Sequence, residues 1–293
     1  MNLMIAAVLG RLIAVVSASP AASVPALRNR AIKHNDFSCQ PSASHPNPVV
    51  LLHGLGATWY EDLYLLELWL QTKGFCTFSQ TYGAYDGFPF VGGLKPIDES
   101  SHQIAALINE VHAKTNASKI DLVGHSEGGF QALYVPKFRA GTAALVENMV
   151  AIAPPTHGTT FAHLWTLAQL SGRDAPRRDV GAVLEKLGGC APCNEISVGG
   201  ASIAKLNDGK PIMQAGNKVT IITSKLDELV TPTDTAFVRE DGVANIYVQE
   251  YCPFDPVGHI GEAYDKNVWN LVLNSLENQV GRKFFCVAGL PGK

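Results

Sequence analysis

Short apolar, β-branched runs recur along the chain, each ending abruptly at glycine, proline or a polar residue. They cover residues 49–52, 75–82, 119–123, 149–152, 219–223 and 245–249. Runs this short and this continuously apolar belong to strands buried on both faces, as in a parallel sheet. Between them the apolar positions shift to helical spacing. Ile104, Leu107, Ile108 and Val111 share one face after a start signal at residues 98–101, and residues 63–70, 129–137 and 269–276 read the same way. Strands alternating with helices predict an open, mostly parallel α/β sheet with helices on both faces. In such sheets reactive groups collect at the carboxyl ends of the strands.

Two stretches break this rhythm. Residues 83–96 are rich in glycine and aromatics (Tyr85, Phe88, Phe90), and residues 154–211 are long and mixed. Both follow predicted strands, so they are expected to overhang the carboxyl edge as cap or lid insertions.

The strand at 119–123 runs into GHSEG at residues 124–128. A G-x-S-x-G between a buried strand and a helix is the context of a nucleophile elbow, which lifts the serine Oγ above the sheet. Ser126 is therefore the expected nucleophile. Serine needs a base, and the chain order in this context is serine, acid, histidine. Asp227 follows the strand at 219–223, and His259 follows the last strand. Asp227 would orient the imidazole, and His259 would take the serine proton. Glu228, Asp234 and Asp255 are weaker candidates, expected to be solvated carboxylates. His125 is expected to brace the elbow. His157 lies too early for the base and is expected near the pocket.

A tetrahedral oxyanion needs two donors already in place. The backbone N–H of Glu127 is one candidate, and Leu55 in the loop HGLG at residues 53–56 is the other. That loop carries neither G-x-G-x-x-G nor G-K-S/T, which argues against nucleotide binding.

Composition changes the picture little. The 293 residues are 46% hydrophobic and 17% charged with a net charge of −3, which suits one globular domain and leaves no basic block for nucleic acid. The N-terminus matters more. An apolar stretch followed by small residues ends in Val16, Ser17 and Ala18, so residues 1–18 are expected to be an export signal and 19–34 an extension ahead of the catalytic domain at 35–293. The mature chain would begin between residue 19 and about residue 33. Arg11 interrupts the apolar run, which makes it a poor membrane span.

Six cysteines agree with export and allow 15 pairings. Cys190 and Cys193 lack a second C-x-x-C, so a local disulfide is expected rather than a metal or redox pair. Adjacent strands would bring Cys39 to Cys76, which leaves Cys252 and Cys286. The motif at Asn116 is a glycosylation sequon between a helix and a strand, hence exposed.

LLHGL at 51–55, DLVGHSEGG at 121–129, APPTHGTT at 153–160 and LDELVTP at 226–232 together resemble the secreted bacterial and fungal triacylglycerol lipases. The cysteine positions are similar too, and the likeness runs from about residue 35 onward. It implies an α/β-hydrolase fold, hydrolysis of lipid carboxylic esters, and Ser126, Asp227 and His259 as the catalytic group. An apolar ester, met at an oil–water interface, is the expected partner, with no cofactor, metal or nucleic acid required. Trp59, Tyr85, Phe88 and His157 are the expected substrate contacts, with Tyr60 and Phe90 as further aromatic candidates. A carboxylesterase or polyester hydrolase of shorter esters, and an acyltransferase, remain as alternatives. A non-catalytic binding protein would need no complete nucleophile, acid, base and oxyanion set.

Overall fold

The computed structural model describes residues 33–160, 189–289 and 291. The expected export signal at 1–18, nearly all of the extension at 19–34 and the middle of the second cap insertion, 161–188, lie outside the described residues. Six parallel strands form one sheet in the order β2-β1-β3-β4-β5-β6. They are β1 (Val49–Leu52), β2 (Thr77–Ser79), β3 (Ile120–His125), β4 (Val146–Ile152), β5 (Lys218–Thr223) and β6 (Ala244–Tyr247).

Alternation along each strand feeds two cores. Val50 and Leu52, Ile120 and Leu122, Met149 and Ala151, and Val219 and Ile221 face one side. There they meet helices α2 (Ile97–Thr115) and α3 (Glu127–Phe138) through Ile104, Ile108, Val111, Phe130 and Leu133. Val49, Leu51, Val123, Val150, Ile152 and Ile222 face the other side. They pack on α1 (Tyr64–Thr72) and α4 (Lys266–Leu276) through Leu66, Leu70, Val268, Leu271 and Val272. Burial on both faces is why the strands read as unbroken apolar runs.

Two strands are shorter than their apolar runs. The run at 75–82 pairs only over Thr77–Ser79, since the chain then turns and the Tyr82 N–H donates to the His53 ring. The run at 245–249 stops at Tyr247 because its one neighbour, β5, ends at the paired Thr223. Val248–Tyr251 then form a helical turn. The start signal at 98–101 lies inside α2, which begins at Ile97 after Pro96, with Asp98 and Glu99 favourably set against the helix dipole. Asn116 caps that helix in a left-handed conformation (φ 52°) and is exposed.

The disulfides pair Cys39 with Cys76, Cys190 with Cys193 and Cys252 with Cys286. The last fastens the C-terminal segment beside the turn that leads to His259. Strand order itself sets the site. After β1 the chain adds β2 on one side and returns to add β3 on the other, so the order reverses between β1 and β3. A crevice opens beyond the carboxyl ends at such a switch point, and the loops leaving β1 and β3 carry Gly54–Leu55 and Ser126.

Candidate active site

Ser126 sits between β3 and α3 at φ 55° and ψ −120°, a left-handed conformation that costs a non-glycine residue free energy. Its surroundings hold it there. The Ser126 N–H donates to the Ile152 carbonyl (2.8 Å), and its carbonyl accepts from the Phe130 N–H (3.0 Å) in the first turn of α3. The turn is too tight for side chains beside it. A Cβ on Gly124 would lie 2.1 Å from the Gly128 carbonyl oxygen, and one on Gly128 would lie 2.0 Å from that of Leu52.

The Ser126 hydroxyl meets His259 Nε2 at 2.9 Å. On the far side of the ring, His259 Nδ1 donates to Asp227 Oδ2 at 2.8 Å. Asp227 is itself fixed, since its Oδ1 accepts the backbone N–H groups of Leu229 and Val230, each at 2.8 Å. His259 and Asp227 are both buried, so this chain of hydrogen bonds works in a medium that strengthens it. Glu228 points elsewhere and accepts the His259 backbone N–H through Oε2 (3.2 Å).

Two backbone N–H groups, those of Glu127 and Leu55, lie on the turns that border this group. The Glu127 N–H belongs to the first turn of α3, where no intrahelical acceptor exists. Leu55 is oriented by its neighbours. The Tyr82 N–H donates to His53 Nε2 (3.1 Å), so the proton is on Nδ1, which donates to the Gly54 carbonyl (2.8 Å). Burial, which lowers the pKa of His53, agrees with that neutral ring. Because a trans peptide sets C=O and N–H opposite each other, tying back the Gly54 carbonyl turns the Leu55 N–H the other way.

Above Ser126 opens a cavity of about 220 Å³. Leu55, Ala57, Pro155, Ile196, Leu229, Val230 and Ile260 give it mostly apolar walls, among the described residues. An apolar space with a few convergent polar groups is the form of a small-molecule site.

Residues 49–199 match the family model described as Alpha/beta hydrolase family. The chain belongs to the alpha/beta hydrolase family. Within it, 120 residues are 32% identical to a triacylglycerol lipase of Pseudarthrobacter phenanthrenivorans, covering 39% of this chain and 35% of that protein. A triacylglycerol lipase of Burkholderia plantarii matches equally over 39% of this chain and 31% of its own length. The chain thus spans about a third of the length of these curated relatives. Among solved structures, Aspergillus fumigatus lipase B shares the fold at a TM-score of 0.60 and 20% identity, over 81% of this chain and 55% of that one. A monoacylglycerol lipase of Paleococcus ferrophilus does so at 0.52 and 18%, over 82% and 96%.

Four residues expected at the substrate stand elsewhere in this alpha/beta hydrolase. His157 donates through Nε2 to the Phe237 carbonyl (2.9 Å) and lines a separate cavity with Asn207, Met213 and Arg239. Its ring is used to pin the loop after β4 to the segment after β5. Trp59 stacks on His34 with ring centroids 3.6 Å apart. Tyr85 donates its hydroxyl to the Gly189 carbonyl (2.8 Å) and so ties the two cap insertions together. Phe88 is half exposed and packs edge-on against Phe90. None of the four lines the cavity at Ser126. Asp255 also departs from expectation. It is buried, accepts from Asn267 Nδ2 (2.6 Å) and closes the turn to Val257 before His259. Asp234 is exposed and paired with Arg239.

Sequence reasoning missed Asp62 and Tyr264, both in the cavity wall. Asp62 follows no strand and belongs to no motif, so only the folded loop reveals it. The nature of Glu127 was missed as well. Its side chain is fully buried and neither carboxyl oxygen has a hydrogen-bond partner. Burial, reinforced by the charge of Glu195, pushes its pKa well up.

Proposed function

We propose that the chain is a secreted serine hydrolase that cleaves carboxylic esters of lipids through an acyl-enzyme on Ser126. One observation carries the reading: the hydrogen-bonded chain from Ser126 through His259 to Asp227, set at the floor of an apolar cavity. As the Ser126 Oγ attacks the ester carbonyl, His259 Nε2 takes its proton, and Asp227 holds the imidazolium in position. The N–H groups of Leu55 and Glu127 receive the oxyanion. Collapse of the tetrahedral adduct returns the proton to the leaving alcohol. A water, activated by the same histidine, then attacks the acyl-enzyme and frees the acid and Ser126. Burial that disfavours a charged Glu127 side chain suits this role, since a carboxylate there would oppose the oxyanion.

The apolar cavity walls favour an acyl chain over a polar acyl group, and the matched relatives bear the name triacylglycerol lipase. Three disulfides among the described residues suit an oxidising compartment. Export is checked by N-terminal sequencing of protein recovered from the medium. A start between residues 19 and 33 agrees with it, and protein retained in cells with Met1 contradicts it.

The activity is tested by initial rates on p-nitrophenyl esters from acetate to palmitate and on emulsified triglyceride, for wild type and Ser126→Ala. Turnover that rises with chain length and at the oil surface, and vanishes in the variant, is the expected result. Confinement to short soluble esters makes this a carboxylesterase. Hydrolysis that persists in Ser126→Ala overturns the mechanism.

A further inference from the structure

His125, beside the nucleophile, is buried between two acceptors. Its Nδ1 lies 2.9 and 3.1 Å from the two carboxyl oxygens of Asp62, and its Nε2 lies 3.0 Å from the backbone carbonyl of His259. A backbone carbonyl can only accept, so Nε2 carries a proton, and with Asp62 ionised Nδ1 carries the second. The ring is then an imidazolium, and its partner a carboxylate. Both side chains are almost wholly buried (5% and 7% exposed), where such a pair holds only if its remaining valences are met. They are met by the active site itself. Asp62 Oδ2 also accepts the Gly54 N–H at 2.6 Å, in the loop that presents Leu55.

We propose that Asp62 and His125 are positioning residues, a buried carboxylate–imidazolium brace that locks the Leu55 loop and the backbone of His259 to one another across the nucleophile turn. The inference rests on the proposed ester-hydrolase reading of the site. Three separate loops, after β1, β3 and β6, supply the oxyanion donor, the nucleophile and the base, and no sheet hydrogen bond joins their tips. The brace touches each of them: Gly54, the residue before Ser126, and His259. Without the Asp62 carboxyl group, the Gly54 N–H and the His125 Nδ1–H lose the acceptor they share, which releases the Leu55 loop from the nucleophile turn.

The titratable groups around the pair agree with this charge state. Asp227 and the His259 ring, 5.0 Å away, face His125, while His53, Glu61 and Tyr264 stand near Asp62. Despite the desolvation that opposes its charge, His125 is shifted up by Asp62, and Asp62 is shifted down by His125.

The test compares wild type with Asp62→Ala and His125→Gln, and reads ester turnover, the rate of Ser126 labelling by a p-nitrophenyl alkylphosphonate, and thermal melting. The expected result is a kcat lower by about 100-fold, as a misplacement of about 1 Å produces. KM should stay within about twofold, labelling should slow in parallel, and one labelled serine per folded molecule should still be reached. Wild-type kcat in Asp62→Ala overturns the brace, and so does a loss that only tracks the fraction of unlabelled, misfolded molecules. Should both variants fail to fold, nitrogen-15 NMR of the wild-type histidines decides. One ring, assigned to His125, must carry both ring protons at neutral pH; a neutral His125 refutes the inference. Wild type that neither turns over esters nor takes the phosphonate refutes the ester-hydrolase reading instead, and leaves the NMR result to judge the brace by itself.

Discussion

Ser126, His259 and Asp227 occupy different links of one proton path, so their removal should not cost the same. Ser126→Ala and His259→Ala each break the path at the reacting atom and should lower kcat by roughly 10⁶-fold. Asp227→Asn keeps the two backbone donors on Oδ1 but offers an amide to the ring, which favours the wrong tautomer, and should cost roughly 10⁴-fold. Steady-state ester kinetics at one pH rank the three, and an Asp227→Asn turnover near wild type would transfer the acid role to Glu228. Glu127 offers a second residue-scale check. Its folded-state pKa is raised, so it retains a proton that the unfolded chain releases, and its contribution to stability falls as pH rises from about 4.5. Glu127→Gln removes that titration. Its Tm should drop less than that of wild type between pH 5 and pH 8, whereas parallel curves would mean that Glu127 is ionised in the fold.

At the scale of elements, the nucleophile turn depends on backbone packing more than on side chains. Gly128→Ala would drive a Cβ into the Leu52 carbonyl at 2.0 Å and should destabilise by about 3 kcal/mol or more, read from the midpoint of guanidinium unfolding. The Cys252–Cys286 bond closes a 34-residue separation. Replacing both cysteines with serine should cost about 4 kcal/mol in the chain-entropy model, and an unchanged midpoint would show that packing of the C-terminal segment suffices. These elements differ in how legible they were. Every strand among the described residues was visible, and β1, β3, β4 and β5 most plainly, because burial on both faces leaves a continuous apolar run. The ends of β2 and β6 were not, since they are set by which neighbour offers a partner rather than by local sequence. Ser126, Asp227 and His259 stood out because each follows a strand in a fixed chain order. Asp62 did not, as its role comes from a loop folding back on the Gly54 N–H. Trp59, Tyr85 and Phe88 were picked for aromatic character, which alone does not say which surface a side chain covers, and they lie outside the lining of the cavity at Ser126.

The whole molecule combines opposite titrations. Burial pushes Asp121 up to about 7, and burial with the negative charge of Asp227 pushes Glu262 well up. Raised carboxyls favour the fold at low pH, and that contribution is lost as pH climbs from about 4 towards the raised values. Asp62 and Asp98 act the other way. Their carboxyls are held down, Asp98 to about 2, and their contribution is present above about pH 4 and lost as pH falls through the lowered values. Asp98 is half exposed, so solvent screens its share. His125, raised by Asp62, loses its contribution as pH rises through its folded value. Calorimetry across pH 3 to 9 should therefore find the highest Tm on the acidic side of neutrality, near about pH 5, and a maximum above pH 8 would contradict these assignments. For the central claim, the most direct measurement is titration with a p-nitrophenyl alkylphosphonate followed by mass spectrometry of the digested protein. The account predicts one equivalent of released p-nitrophenol and one adduct on the peptide that carries Ser126. No release, or an adduct on any other residue, would contradict it.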